Sequence, residues 1–289
     1  MRLVNFKAAD GPRIGAVLAE SRVLDLTAVN RDAPRDIQAV IAGNMLANLQ
    51  KIIDGAAGYD TINFDQLDFD IPIRAPGKIL CLGLNYIDHV NEGIFEKQDF
   101  PAIFIRTLTS MLPHAKPIIC PRNSITLDFE AELAVVIGKT SRHLTVENAL
   151  DAVAGYTCAN DGSVREYQRH TIQWTMGKNF DQTGPLGPVF VTADELPDGA
   201  KGLDIACRLN GETVQSSNTD MMMFPVLETL VYITQGVTLE PGDIILMGTP
   251  SGVGHARKPP LWMKHGDVVE VEIENIGLLR NPVTDAPAV

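Results

Sequence analysis

Asp128-Phe129-Glu130-Ala131-Glu132-Leu133-Ala134-Val135-Val136-Ile137-Gly138 is the stretch on which the reading of this chain turns. Its apolar, β-branched run is short and ends at a glycine, so it predicts a strand over Glu130–Ile137. Side chains alternate along a strand, which puts Glu130 and Glu132 on one face. Two like charges side by side repel and invite a cation between them. The solvated face of an edge strand would carry the same pattern, and E-x-E alone does not separate the two.

Outward from this strand the pattern stays strand-rich. Lys78–Leu82, Ala102–Ile105, Gly155–Ala159, Pro188–Val191, Leu203–Leu209, Asp243–Met247 and Val268–Ile273 read as strands. Asn210-Gly211 is a hairpin signal, because both residues tolerate positive φ. The clearest helix runs from Pro225 to Gln235, with Gly236 past its end, and a shorter one is expected to start at Thr145. With few crossover helices, the fold class is a β-rich α+β structure and not a doubly wound parallel sheet.

The first 75 residues separate from the rest by pattern. Short strands at Arg2–Phe6, Ile14–Leu18 and Arg22–Leu24 precede a helix capped by Asp36. Its apolar residues Ile37, Val40, Ile41, Met45, Leu49, Ile52 and Ile53 recur at helical spacing up to Gly55. Ile71-Pro72-Ile73-Arg74-Ala75-Pro76-Gly77 reads as a linker. The expected organisation is a small N-terminal α+β domain over 1–75 and a larger domain over 76–289.

The net charge of −12 disfavours a nucleic-acid partner, which needs cations to neutralise phosphates. It also repels small anions at long range, so a site for an anionic substrate must reverse the sign locally with a metal, Arg or Lys. No apolar stretch approaches the ~18 residues of a transmembrane helix, and Met1–Lys7 reads as a strand and not a signal peptide. Cys81, Cys120, Cys158 and Cys207 are scattered without a C-x-x-C pair, which points to thiols in a reducing cytosol.

Asp161 ends the strand before it and opens a helical turn with Arg165; it reads either as a helix N-cap or as a third carboxylate beside Glu130 and Glu132. Three carboxylates without paired Cys or His suit Mg²⁺ or Mn²⁺, with Ca²⁺ as a further oxygen-seeking ion, and not Zn²⁺. His89 and Glu92 stand three apart, the spacing at which a carboxylate orients an imidazole as a general base; an incidental ion pair gives the same spacing. Lys178, with Arg165 and Gln168, reads as a binder of a carboxylate or enolate, or else as a surface lysine near Asp181. Gly248-Thr249-Pro250-Ser251-Gly252-Val253-Gly254 lacks a G-K-[ST] and reads as a tight loop lining the site, with Thr249 as a donor.

Together these stretches resemble the fumarylacetoacetate hydrolase family. Gly83-Leu84-Asn85-Tyr86 with His89, Asp128–Leu133, Asn160-Asp161 through Arg165 and Gln168, Gly177-Lys178, Leu209-Asn210-Gly211-Glu212 with Gln215, Pro241-Gly242-Asp243, Gly248-Thr249-Pro250 with Gly252-Val253-Gly254, and Gly277–Val283 carry the resemblance, in order, over roughly residues 78–285. The resemblance implies a mixed β-sandwich roll and a homodimer. It implies Glu130, Glu132 and Asp161 as metal ligands, Lys178 facing the metal, and His89 with Glu92 as the water-activating dyad. Tyr86, Arg106, Arg165, Gln168 and Thr249 are the expected substrate contacts. Arg106 stands where many members have a lysine, so recognition of one substrate end is expected to differ. The leading expectation is hydrolysis of a C–C bond in an acylpyruvate or other 2,4-dioxo acid through a pyruvate enolate. A decarboxylase, isomerase or dehydratase using the same enolate is the alternative, and a non-catalytic binder is the reading from another class.

Overall fold

A strand that is apolar on both faces needs a covered surface on each side, and Ala131–Ile137 is buried at all seven positions. The computed structural model, which describes residues 1–56, 58–88 and 99–287, sets this strand deep inside a 12-stranded sheet. Val153–Asn160 pairs with it antiparallel on one side and Ile244–Leu246 on the other. The edge-strand alternative for Glu130 and Glu132 therefore does not hold.

The sheet continues through Ile79–Gly83, parallel to Ile244–Leu246, to an edge strand at Ala102–Ile105. In the other direction it passes from Val153–Asn160 to Gly184–Thr192 and then to Arg2–Ala8. The strands of the N-terminal segment thus extend the same sheet, and the expected boundary at residue 75 is not a break in it. One buried cluster joins Leu3, Ile14 and Ile37 to Ala134, Val136 and Phe190. A second, five-stranded sheet stacks the hairpin Asp204–Leu209/Glu212–Asn218 beside Val268–Ile273, Gly277–Asp285 and Ile118–Cys120. Leu133, Val135 and Tyr156 from the large sheet share a core with Ile205, Val269, Val271 and Leu279 from this one. This is the mixed, β-rich α+β architecture expected from the sequence.

Local chemistry accounts for the elements that matter. Asn210 and Gly211 take φ of 53° and 83° at the hairpin, as an Asn-Gly turn requires. Asp36 accepts from the Ala39 N–H and starts a helix, but the single helix expected up to Gly55 is two, Ile37–Ala42 and Leu46–Asp54. Gly43 ends the first, and Asn44 follows at φ 52°. The apolar spacing survives this break: Ile37, Val40 and Ile41 of the first piece and Leu49 of the second are buried in one cluster. The long C-terminal helix is Val226–Gly236. From Thr145 onward the only helical element before the next strand is a 3₁₀ turn, Ala149–Ala152. No helix among the described residues is long and apolar enough to cross a membrane.

Candidate active site

Register brings the acids together. Ala131 pairs with Asn160, so Glu130 and Asp161 sit opposite each other where the two strands part. Asn160 Oδ1 accepts the Glu130 N–H at 2.9 Å, and the Asp161 N–H donates to the Glu130 carbonyl at 2.9 Å. Glu132 lies one alternation further on. The three residues are buried, and a ligand oxygen from each lies within 4.8 Å of the others. Asp161 is not a helix cap: the helix Arg165–Gln168 begins after Val164, without a side-chain cap.

Cations surround the acids. Lys178 is buried, not a surface residue, and its Nζ is 2.6 Å from both Glu130 Oε2 and Asp161 Oδ2. Burial works against its charge, but Asp161 and Glu130 outweigh it and hold the ammonium above its ordinary value. The helical turn Thr175–Lys178 that carries it packs on Arg165–Gln168, and a Cβ at Gly177 would lie 2.4 Å from the Gln168 N. Glycine is needed there for close approach. Arg165 donates from Nε to Asp128 at 2.7 Å, pairs with Glu130 at 2.7 Å, and gives Nη1 to Gln168 Oε1 at 2.9 Å.

Glu132 is the acid with the least compensation. Among the described residues its carboxylate takes one hydrogen bond, from the Gly248 N–H at 2.8 Å. Burial, together with the charges of Asp161 and Glu130, holds its carboxyl well above the usual range. Gly248 presents that N–H from a loop position at φ 84°, where a Cβ would also stand 2.7 Å from Asn85 Cβ. Four acids (Asp128, Glu130, Glu132, Asp161) thus face three cations (Arg106, Arg165, Lys178) in one buried cluster. An all-oxygen donor set with a carboxylate left over fits a hard divalent cation.

A cavity of about 170 Å³ opens beside this cluster. Glu130, Glu132, Lys178, Arg165, Gln168 and Thr249 line it. Thr249 Oγ1 accepts from Gln215 Nε2 at 2.8 Å, and Gln215 Oε1 takes the Ala131 N–H at 2.9 Å, so the loop is tied to the strand that begins at Ala131. The Thr249 hydroxyl proton has no acceptor among the described residues.

Two expected substrate contacts sit elsewhere. Arg106 is fully enclosed behind Asp161: Nη1 pairs with its carboxylate and donates to the Gly162 carbonyl at 3.1 Å, Nε donates to Ser110 Oγ at 3.1 Å, and Nη2 to Thr183 Oγ1 at 3.0 Å. Every arm of the guanidinium is used, so it fixes Asp161 and does not line the cavity. We expect Ser110→Ala, which removes one hydrogen bond to this buried charge, to lower the unfolding free energy by about 1.5–3 kcal/mol. A urea midpoint equal to the parent's would show that Arg106 does not depend on it. Tyr86 is fully buried in the core, and its hydroxyl has no partner among the described residues; it is not part of the cavity wall. The ring is large and mostly apolar, and the core takes it. His89 and Glu92 lie outside the described residues.

The structure adds residues that the sequence did not single out. Asp128 accepts the N–H groups of Gly254 and His255 at 2.7 and 3.0 Å as well as Arg165 Nε. Burial opposes its charge, but Arg165 and His255 prevail and hold the carboxyl below its usual value. His255 lines the cavity with Nδ1 3.4 Å from Asp128 Oδ2. Its position directly after the Gly252–Gly254 loop was the available signal. Phe104 and Trp174, in edge contact at 5.5 Å between ring centroids, form an apolar wall, and Lys178 Nζ lies 4.9 Å from the Phe104 centroid.

Comparison with known proteins agrees with this geometry. Residues 78–284 match the model for the fumarylacetoacetate (FAA) hydrolase C-terminal family. The chain is 39% identical to the mitochondrial oxaloacetate tautomerase fahd2 of Xenopus laevis, over 98% of this chain and 90% of that protein. Among solved structures it resembles the fumarylacetoacetate hydrolase EaFAH of Exiguobacterium antarcticum, at 34% identity and a TM-score of 0.87, covering 99% of this chain and 100% of that one. It also resembles maleylpyruvate hydrolase from Sphingobium sp. SYK-6 in complex with manganese(II) ion and pyruvate, at 28% identity and a TM-score of 0.82, with the same coverage.

Proposed function

This chain belongs to the fumarylacetoacetate hydrolase family, and from that premise we propose that it is a divalent-metal-dependent enzyme moving a proton at the carbon beside the keto group of a small 2-oxo acid. Interconversion of the keto and enol forms of an oxaloacetate-like acid is the reaction meant. The observation that carries this reading is the buried carboxylate cluster with Lys178 inside it, opening on a cavity of about 170 Å³. The relatives named oxaloacetate tautomerase, aligned over nearly the whole chain, support the choice among reactions.

Glu130, Glu132 and Asp161 would hold the cation. Once bound, the ion would polarise the keto oxygen as a Lewis acid, with Mg²⁺ and Mn²⁺ both suited to the donors. Lys178 supplies a positive charge where the enolate oxygen develops, and it is fixed before the reaction by Glu130 and Asp161. Arg165, braced by Asp128 and Glu130, keeps Gln168 with its carbonyl turned inward, so the Gln168 amide N–H groups remain for a substrate oxygen. Thr249 donates from the facing loop. Phe104 and Trp174 exclude water from one wall, which strengthens each of these interactions.

Hydrolysis of a 2,4-dioxo acid is the second reading, favoured by the likeness to a maleylpyruvate hydrolase that holds pyruvate. His89 oriented by Glu92 would activate the water. The test is the decay of the oxaloacetate enol absorbance, and separately pyruvate release from acetylpyruvate, each with Mg²⁺ and with EDTA. Metal-dependent enol decay supports the tautomerase, and metal-dependent pyruvate supports the hydrolase. No metal-dependent change with either compound would overturn both. The homodimer and the cytosolic location expected from the sequence belong to the same proposal; light scattering that returns the mass of one chain would remove the dimer.

A further inference from the structure

We infer that Arg169 is the residue that reads the second carboxylate of the oxaloacetate-like substrate, an inference that rests on the 2-oxo acid reading of this cavity. Among the described residues three cations line the cavity: Arg165, Lys178 and Arg169. Two are spoken for. Arg165 is bound to Asp128, Glu130 and Gln168, and Lys178 to Glu130 and Asp161. Arg169 is different. Its backbone N–H closes the turn on Arg165 and Glu166, but its exposed guanidinium makes no hydrogen bond or ion pair among the described residues.

The neighbourhood suits an anion. Gln168 stands next in the chain and turns its carbonyl to Arg165, which leaves its N–H groups as donors beside Arg169. His255, also in the cavity wall, lies with Nδ1 3.4 Å from Asp128 Oδ2. A planar guanidinium meets a carboxylate with two parallel N–H···O bonds, and a 2-oxo acid anchored near Lys178 would bring its far end toward the Arg169 side of so small a cavity. The net charge of the chain is −12, so a dianion approaches against an unfavourable field, and an unspent cation in the wall reverses it locally. An uncharged far end would gain nothing from this residue.

The experiment compares oxaloacetate with pyruvate, which share the 2-oxo acid end and differ in the second carboxylate. Each is titrated by calorimetry into the intact enzyme with Mg²⁺, with the spontaneous decay of oxaloacetate subtracted, for the parent, Arg169→Gln and Arg169→Lys. We expect the parent to favour oxaloacetate and Arg169→Gln to lower the affinity ratio by about 10–100-fold, the range for a hydrogen-bonded charge. Arg169→Lys should keep part of the preference, because the charge remains while the fork is lost. The parent's ratio should also shrink with added salt and that of Arg169→Gln should not, since exposed charges are screened; a merely structural role would not produce this difference. A parent without the preference, or an Arg169→Gln ratio equal to the parent's, overturns the inference. Turnover is read separately. A parent that binds oxaloacetate through Arg169 but converts neither it nor acetylpyruvate refutes the reaction and leaves the recognition standing. A parent that turns over oxaloacetate with an Arg169-independent ratio does the reverse.

Discussion

Lys178→Met is expected to lower kcat on oxaloacetate by about 10²–10³-fold, the usual effect of removing one preorganised donor from a site of developing negative charge. The ammonium is held within 2.6 Å of two carboxylates, so its orientation is fixed before substrate arrives. Methionine keeps much of the stem that packs near the Phe104 ring and deletes only the charged end. KM should change less than kcat, because the interaction strengthens as the enolate forms. The variant leaves Glu130 and Asp161 short of a counter-charge, which destabilises a buried cluster. Adding Mg²⁺ should therefore raise its melting temperature by more than it raises the parent's. A kcat near the parent's in a folded, Mg²⁺-responsive variant would remove Lys178 from the reaction.

Glu132→Gln should weaken Mg²⁺ binding by more than the ~10–100-fold that loss of an outer partner costs, because it replaces one of three carboxylate ligands with a neutral amide. The same group sets a pH dependence whose sign follows from its environment. Burial, Asp161 and Glu130 raise its folded pKa above the ordinary 4.5. In EDTA the folded protein then holds a proton that the unfolded chain has released. The resulting stability is fully present below pH 4.5 and is lost as the pH rises through the folded value. Binding of Mg²⁺ expels that proton, so affinity for the metal should rise over the same range. Melting temperatures against pH, in EDTA and in Mg²⁺, check both slopes. Glu132→Gln should flatten the EDTA curve, and an identical slope in variant and parent would show that another group is responsible.

Much of this site was legible in the sequence because its logic is local. The period of a strand puts Glu130 and Glu132 on one face, an apolar run of that length asks to be buried, and three oxygen ligands without cysteine or histidine name a class of ion. Asp161, Lys178, Arg165, Gln168 and Thr249 were singled out by residue type and context, the resemblance gave them roles, and the structure places them in the cavity wall or the acid cluster behind it. The hairpin at Asn210-Gly211 and the cap at Asp36 were readable for the same reason: each is decided within four residues.

What the sequence could not decide is which charge meets which. Arg106, Arg165 and Arg169 are one residue type, yet one locks Asp161, one braces two acids and one has no side-chain partner among the described residues. Arg106 and Asp161 are 55 positions apart, and only the approach of the end of Ala102–Ile105 to the end of Val153–Asn160 brings them into contact. Strand pairing is equally non-local. The N-terminal strands were evident from alternation, but their union with Gly184–Thr192 in one sheet depends on hydrogen bonds about 190 residues apart, for which alternation carries no address. The sequence by itself determined the strands and which oxygen-bearing residues could gather at one end of them; tertiary structure alone assigned the partners, because a buried charge is costly without a counter-charge and only the fold says which are within reach.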